Sequence, residues 1–196
     1  MQNAKLGLSE EELSLVSDPG IILTKNAIIA KVYDMFGMLA DEQKQMVLPA
    51  QAGATPPKIS RGENYKGLPY VVLDFPRLFT SQHVMAIRTH FWWGNYFSVT
   101  LHLKGEFCRL HHDVLLTNFE DLSMTGHMLC LAEDEWEHEL REPFYSMMSR
   151  IGYDKFRQAL QSLPFIKIAK PFPLLEWNNM FELLREEQRA MAELLR

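Results

Sequence analysis

The sequence lacks the short motifs that mark the commonest enzyme sites. Its 196 residues contain no GxSxG, P-loop, GxGxxG or HExxH pattern, so no nucleophile elbow, phosphate loop, dinucleotide site or zinc-protease helix is predicted. Basic clusters are missing too, since no run of five Lys or Arg residues occurs and the formal net charge is -5. Because nucleic-acid binding is driven by clustered cations, we expect no nucleic-acid partner. The sequence leaves open whether the protein is an enzyme.

Cysteines and long apolar runs are also scarce. Cys108 and Cys130 are the two cysteines, they form no CxxC pair and both have apolar neighbours, which favours free buried thiols in a reducing compartment. The apolar runs are shorter than the ~18–20 residues that span a bilayer, and the N-terminal segment has no apolar core of a signal peptide. We therefore expect a cytoplasmic protein that does not associate with a membrane.

The seven histidines offer no convincing metal site. His111 and His112 form the densest cluster, but adjacent side chains point to different sides of a helix or strand and cannot easily hold one ion. We expect no metal and no cofactor.

The composition is that of a folded globular protein, with 47% hydrophobic and 23% charged residues. This is far from the composition of disordered chains, and the length fits a single domain over residues 1–196. Within it we distinguish a helical N-terminal part at 1–48, a Pro-rich linker loop at 49–57, and a region of sheet and helices at 58–196.

Hydrophobic periodicity predicts the elements. Ser9 and Glu12 form a capping-box pattern before a short helix, and further helices are predicted at 21–46, 106–122, 134–142, 153–163 and 176–196. Strands are predicted at 68–75, 85–92, 96–103, 127–132 and 165–170, and the polar stretch 58–66 is predicted to be a loop. The fold class is therefore α+β: a central, mainly antiparallel sheet with an 85–104 hairpin, and helices at both termini packed on one face.

The hairpin has two alternative registers. A two-residue loop, Gly94-Asn95, would place Arg88 and His90 among apolar partners, which is costly without pairing. A three-residue loop, Trp93-Gly94-Asn95, with Asn95 in the left-handed region, makes one face almost wholly apolar, so we favour it. The other face then carries Arg88, His90, Trp92, Tyr96, Ser98, Thr100 and His102.

This second face has two interpretations. It is either the solvated side of an antiparallel sheet or a binding surface, on which Arg clamps an anion and Trp or Tyr stacks on a ring. If Asp74 pairs with Arg88, the arginine becomes structural. Together with the loop before the first strand, the candidate ligand-binding residues are Arg61, Glu63, Tyr65, Arg88, His90, Trp92, Tyr96 and His102.

Two functional hypotheses follow. The first is an α+β domain that binds a small anionic or aromatic ligand, or a partner protein, on this face; a concave surface would indicate the ligand and a flat one the partner. The second is a hydrolase or transferase with His90 or His102 as general base. The acidic stretch 133–139 is interpreted as a solvated helix start, and the apolar C-terminal helix suggests a homodimer.

The runs ENYKGLPYVVLDFPR and FWWGNYFSVTLHL resemble a block shared by uncharacterised bacterial hypothetical proteins. The resemblance covers residues 58–105. It implies a bacterial cytosolic protein and transfers no activity and no functional residue.

Overall fold

The computed structural model describes residues 6–44, 48 and 55–196. Its strands form one seven-stranded sheet in the order β1-β2-β3-β4-β7-β5-β6, and every neighbouring pair is antiparallel. The strands are β1 (Lys58–Tyr65), β2 (Leu68–Phe79), β3 (Val84–Trp92), β4 (Tyr96–Lys104), β5 (Met128–Cys130), β6 (Tyr145–Met147) and β7 (Phe165–Pro173). The predicted α+β class is confirmed, whereas most of the predicted linker, 49–54, lies outside the described residues.

Helices occur before, between and after the strands. They are α1 (Glu10–Ser17), α2 (Pro19–Gln43), α3 (Glu106–Leu110), α4 (His112–Thr117), α5 (Phe119–Met124), α6 (Met148–Ile151), α7 (Tyr153–Ser162) and α8 (Met180–Glu193), with a 3-10 helix at Leu174–Asn179. The capping box before α1 is confirmed, because Ser9 and Glu12 bond each other's backbone amides.

The hairpin formed by β3 and β4 has the predicted three-residue loop. Trp92 pairs with Tyr96, His90 with Ser98, and Arg88 with Thr100. One detail differs, because the positive φ of the loop falls on Gly94, at 73°, and not on Asn95. Glycine adopts this conformation without a steric cost.

The predicted apolar face of the hairpin forms the main core against α2 and α8. Its members are Met85, Ile87, Thr89, Phe91, Phe97, Val99, Leu101 and Leu103, each at most 2% exposed. The one hydroxyl among them is satisfied, since Gln188 of α8 donates to Thr89 Oγ1 at 2.5 Å. A second polar link joins α8 to the sheet, where buried Glu187 bonds His127 at 2.7 Å and Lys170 at 2.9 Å.

The predicted stripe of the C-terminal helix is used inside the molecule. Leu184, Met191 and Leu195 are at most 1% exposed and belong to the main core. These buried residues therefore cannot form a homodimer interface.

The prediction of a loop at 58–66 is wrong, because these residues form β1 on β2. Polar side chains suit this edge strand, whose backbone groups find partners in β2. Gly62 lies opposite Tyr70, and a Cβ at this position would overlap the Tyr70 ring. The glycine thus lets an aromatic ring lie flat over the edge strand.

The predicted long helix at 106–122 is divided into α3, α4 and α5. The divisions fall at His111 and Asn118, whose φ/ψ values of -103°/8° and -92°/10° depart from helical geometry. Each of these side chains bonds the carbonyl four residues earlier, at 2.8 Å in both cases. Such local side-chain bonds compete with a regular helix.

Among the described residues, no single helix is long and apolar enough to cross a bilayer. Taken together, α1 and α2 have the length and apolar composition of a membrane-spanning helix, but they join at a bend of 59°.

Candidate functional site

Residues 131–144, which we call the strap, leave the β5–β6 edge and cross the sheet face opposite the helices. The Leu131 amide bonds the Phe144 carbonyl at 2.8 Å and closes the base of this loop, as is typical of an Ω-loop. The prediction of a helix here is wrong, since no residue of the strap is helical. The polar face is therefore covered and not solvated, with His90 and His102 at most 4% exposed.

Two tyrosine hydroxyls of the sheet hold the strap backbone. Tyr96 Oη donates to the His138 carbonyl at 2.9 Å and accepts from the Leu140 amide at 2.7 Å. Tyr65 Oη accepts from the His138 amide at 2.8 Å and donates to Glu137 Oε1 at 2.6 Å. Burial raises the pKa of Tyr96 to about 12 and also raises the pKa of Tyr65. Both hydroxyls therefore keep their protons near neutral pH.

A buried cation on β7 completes this framework. Lys167 is 1% exposed, and its Nζ donates to the carbonyls of Glu135, at 3.0 Å, and Glu137. Burial lowers the pKa of Lys167 to about 8, and the charge of Arg88 acts in the same direction. The sheet side chains thus supply partners to an irregular backbone that would otherwise lack them.

Three acidic side chains of the strap, Glu135, Glu137 and Glu139, are paired with cations, which corrects the interpretation of the whole stretch 133–139 as a solvated helix start; Glu133 and Asp134 are exposed. Glu135 bonds Lys104 at 2.7 Å, and Lys66 contacts both Glu137, at 3.0 Å, and Glu139. Burial favours a higher pKa for Glu137, but hydrogen bonds from Tyr65, the Glu139 amide and Lys66 hold its pKa below the usual range. These carboxylates therefore hold the strap on the sheet.

A cleft of about 430 Å³ lies between the strap and strands β1 to β3. This volume falls within the range of small-molecule sites. Its walls are rich in rings that contact one another: Tyr70 and His90 have centroids 5.8 Å apart, and Phe79 and Trp136 6.0 Å apart. The lining residues are Lys58, Ser60, Tyr65, Tyr70, Val72, Asp74, Arg77, Phe79, Arg88, His90, Trp136 and His138.

Arg88 is held by protein groups at the floor of the cleft. Asp74 lies directly opposite it in the β2–β3 register and accepts two bonds, from Nε at 2.7 Å and from Nη2 at 2.9 Å. Nη1 lies 3.0 Å from His138 Nε2. Because Asp74 pairs with Arg88, the arginine has the structural role that this pairing was expected to give it.

His90 and His138 place two uncharged imidazoles side by side in the cleft, with centroids 5.5 Å apart. Burial, and next the charge of Arg88, lower the pKa of His90 to about 3. Burial, and next the charge of Lys167, lower the pKa of His138 well below its usual value. His90 Nδ1 is buried without a hydrogen-bond partner among the described residues.

Trp92, Tyr96 and His102 lie under the strap but do not line the cleft. Trp92 Nε1 donates to the Tyr65 carbonyl at 3.3 Å. The imidazole of His102 lies against Trp136, with centroids 5.9 Å apart, and burial lowers the pKa of His102 to about 3. These side chains support the cleft from beneath and beside it.

Arg61 and Glu63 face the other side of the sheet. Glu63 pairs with Lys25 of α2 at 2.5 Å, and Arg61 lines a shallow depression on α2. Side chains alternate along a strand, and the register shifts between Gly62 and Tyr65. This irregularity returns Tyr65 to the cleft side, so of the eight candidates only Tyr65, Arg88 and His90 line the cleft.

Sequence reasoning missed most of the cleft. Trp136 and His138 come from the strap, and Lys58, Ser60, Tyr70, Arg77 and Phe79 come from β1 and β2. One pattern pointed to the strap: in 135–140 acidic residues alternate with Trp136, His138 and Leu140. Strict alternation is typical of an extended chain and not of a helix.

No protein-family model, curated protein or solved structure matches this chain. Within the described residues, no group of three or more His, Cys, Asp or Glu side chains could hold a metal ion. The resemblance to bacterial hypothetical proteins stays a prediction.

Proposed function

We propose that the protein binds a small aromatic anion in the cleft beneath the strap. The observation that carries the proposal is a concave, ring-lined site of about 430 Å³. The only carboxylate among the described residues that line it, Asp74, is already paired with Arg88. Lys58 and Arg77 therefore give the lining an uncompensated positive charge, although the whole chain has a net charge of -5. Such a site favours an anion.

The rings favour a flat ligand. Trp136, at 46% exposed, and Phe79 form one wall, and Tyr70 with His90 forms another. Aromatic rings gain about 0.5–1.5 kcal/mol from offset or edge-to-face contact beyond the burial of area.

A small ligand suits this site better than a partner protein, because the strap already covers the flat part of the face. The alternative, a hydrolase or transferase with His90 as general base, has less support. An imidazole whose pKa is about 3 accepts protons weakly, and efficient bases have pKa values near the working pH. We place the protein in the cytoplasm, in keeping with its two free, buried cysteines.

A thermal-shift series tests the proposal. Benzoate should raise the melting temperature by mass action, whereas benzylamine, with the same ring and opposite charge, and acetate, with charge and no ring, should not. Trp136→Ala and Lys58→Met should each weaken the benzoate effect, and Lys155→Met, an exposed lysine on α7, should leave it unchanged. An equal response to benzylamine, or full response in Trp136→Ala, contradicts the proposal.

A further inference from the structure

Residues 6–27, which we call the arm, form a helical extension that buries almost nothing. No residue of α1 is buried, and in α2 the first buried residue is Ile29. Yet the arm holds eight of the fifteen large apolar side chains that are exposed among the described residues: Leu6, Leu8, Leu13, Leu15, Val16, Ile21, Ile22 and Leu23, from 44% to 85% exposed.

The arm is a well-formed helix pair that lacks a packing surface. Its ends are capped, by Ser9 and Glu12 at α1 and by Asp18 at α2. Caps alone do not sustain a helix as short as the eight residues of α1, because helices below ~12–15 residues are marginal in water and depend on packing. The apolar side chains of the arm therefore call for a partner.

The exposed apolar area of the arm is large enough to contribute to a dimer interface. The eight apolar residues together expose on the order of 800 Å², which is comparable to the share of one partner in a standard interface.

The charge of the arm fits a second copy placed antiparallel to the first. Glu10, Glu11 and Glu12 make its first half acidic, and its second half carries Asp18 and Lys25. A two-fold axis across the arm lays the first half of one copy on the second half of its partner. The acidic ends of the two copies are then kept apart, and Lys25, which also pairs with Glu63 of β1, lies near the acidic end of the partner. A bilayer surface fits less well, because anionic lipids repel the four carboxylates.

We propose that a second copy of this chain covers the arm, in an antiparallel, two-fold symmetric dimer. The partner surface is the arm itself, and the sheet and the cleft stay outside the interface.

Sedimentation and light scattering of the full chain test the proposal. The wild type should have twice the monomer mass, and Leu15→Glu combined with Ile22→Glu should abolish the dimer. The matched control is Leu175→Glu, a change at an apolar side chain that is 97% exposed outside the arm; it should leave the mass doubled.

Three results would overturn the proposal. They are a wild type that stays monomeric over the whole concentration range, a dimer that survives the double Glu substitution, and assembly that grows without closing. Retention of the monomer on anionic phospholipid vesicles, with loss in the double variant, would assign the arm to a membrane surface instead. Circular dichroism of each variant shows that the sheet region has folded.

Discussion

The polar face beneath the strap and the arm differ in which kind of side chain they bury. Beneath the strap, two histidines and a lysine are buried and an Arg–Asp pair is part-buried in the sheet region. In the arm, eight large apolar side chains are exposed. Burying polar groups is costly unless partners are supplied. Carbonyls of the strap supply them to Lys167, and Asp74 and His138 supply them to Arg88. The apolar side chains of the arm lack a packing surface. The first region is complete within one chain, and we infer that the second is completed by another chain.

The largest expected effect is at the floor of the cleft. Asp74→Ala leaves the part-buried guanidinium of Arg88 without its carboxylate, which should cost about 3 kcal/mol, the lower end of the range for buried pairs. Urea unfolding should show this loss in the free energy of unfolding. Glu182→Gln removes an exposed partner of Arg185 on α8 and should change the free energy by less than about 1 kcal/mol. Equal losses of unfolding free energy in the two variants would show that the Asp74–Arg88 pair contributes no more to stability than an exposed pair.

Acid should destabilise the strap side of the molecule. The pKa values of His90 and His102 are about 3 in the folded state, below the ordinary value of ~6.5 for the unfolded chain. The unfolded state thus binds protons first as the pH falls. Stability is full above about pH 6.5 and is lost toward pH 3, by up to roughly 1.4 kcal/mol per pH unit and histidine.

The variant His102→Gln should reduce this acid slope, as measured by urea unfolding at a series of pH values. The control Gln161→Asn, at an exposed residue of α7 that does not titrate, should leave the slope unchanged. A stability that is flat between pH 6.5 and 4 would contradict the burial of neutral imidazoles.

A smaller effect is expected at the strap anchor Tyr96. Tyr96→Phe removes the hydroxyl that bonds the His138 carbonyl and the Leu140 amide, which should cost about 1–3 kcal/mol. Hydrogen exchange at the Leu140 amide should become faster. Tyr153→Phe, at a ring that is 46% exposed, serves as the control. Unchanged exchange at Leu140 would show that the strap does not depend on this anchor.

The smallest effect on the single chain is expected in the arm. In dilute protein, where the dimer has dissociated, Leu15→Glu with Ile22→Glu should change the free energy of unfolding by less than about 0.5 kcal/mol. At high concentration the wild type should be more stable than the variant, because dimerisation stabilises the folded state. A large loss in dilute protein would mean that the arm packs within its own chain.

Local patterns in the sequence were sufficient for the hairpin. Alternation along β3 and β4, with one glycine in the loop, led to the observed register and to the apolar face. The capping box at Ser9 was equally local. In these cases the physical cause lies within a few residues of its effect.

The strap could not be predicted in the same way, because distant residues determine its path. Its anchors Tyr65, Tyr96 and Lys167 lie between 30 and 73 residues away from the groups that they bond. The segment 133–139 is rich in acids, which suggests a helix start, and its pairing with Lys66 and Lys104 arises only in the fold. The irregularity in β1 likewise placed Tyr65 on the cleft side, apart from Arg61 and Glu63.

The most direct test of the central claim is an NMR titration of the isotopically labelled protein with benzoate. The account predicts saturable shifts confined to the cleft, at the Trp136 indole, the His90 ring and the amides of Tyr70 and His138, with no shifts in the arm. Shifts that are absent, or that fall outside the cleft, would contradict the proposal that this site binds a small aromatic anion.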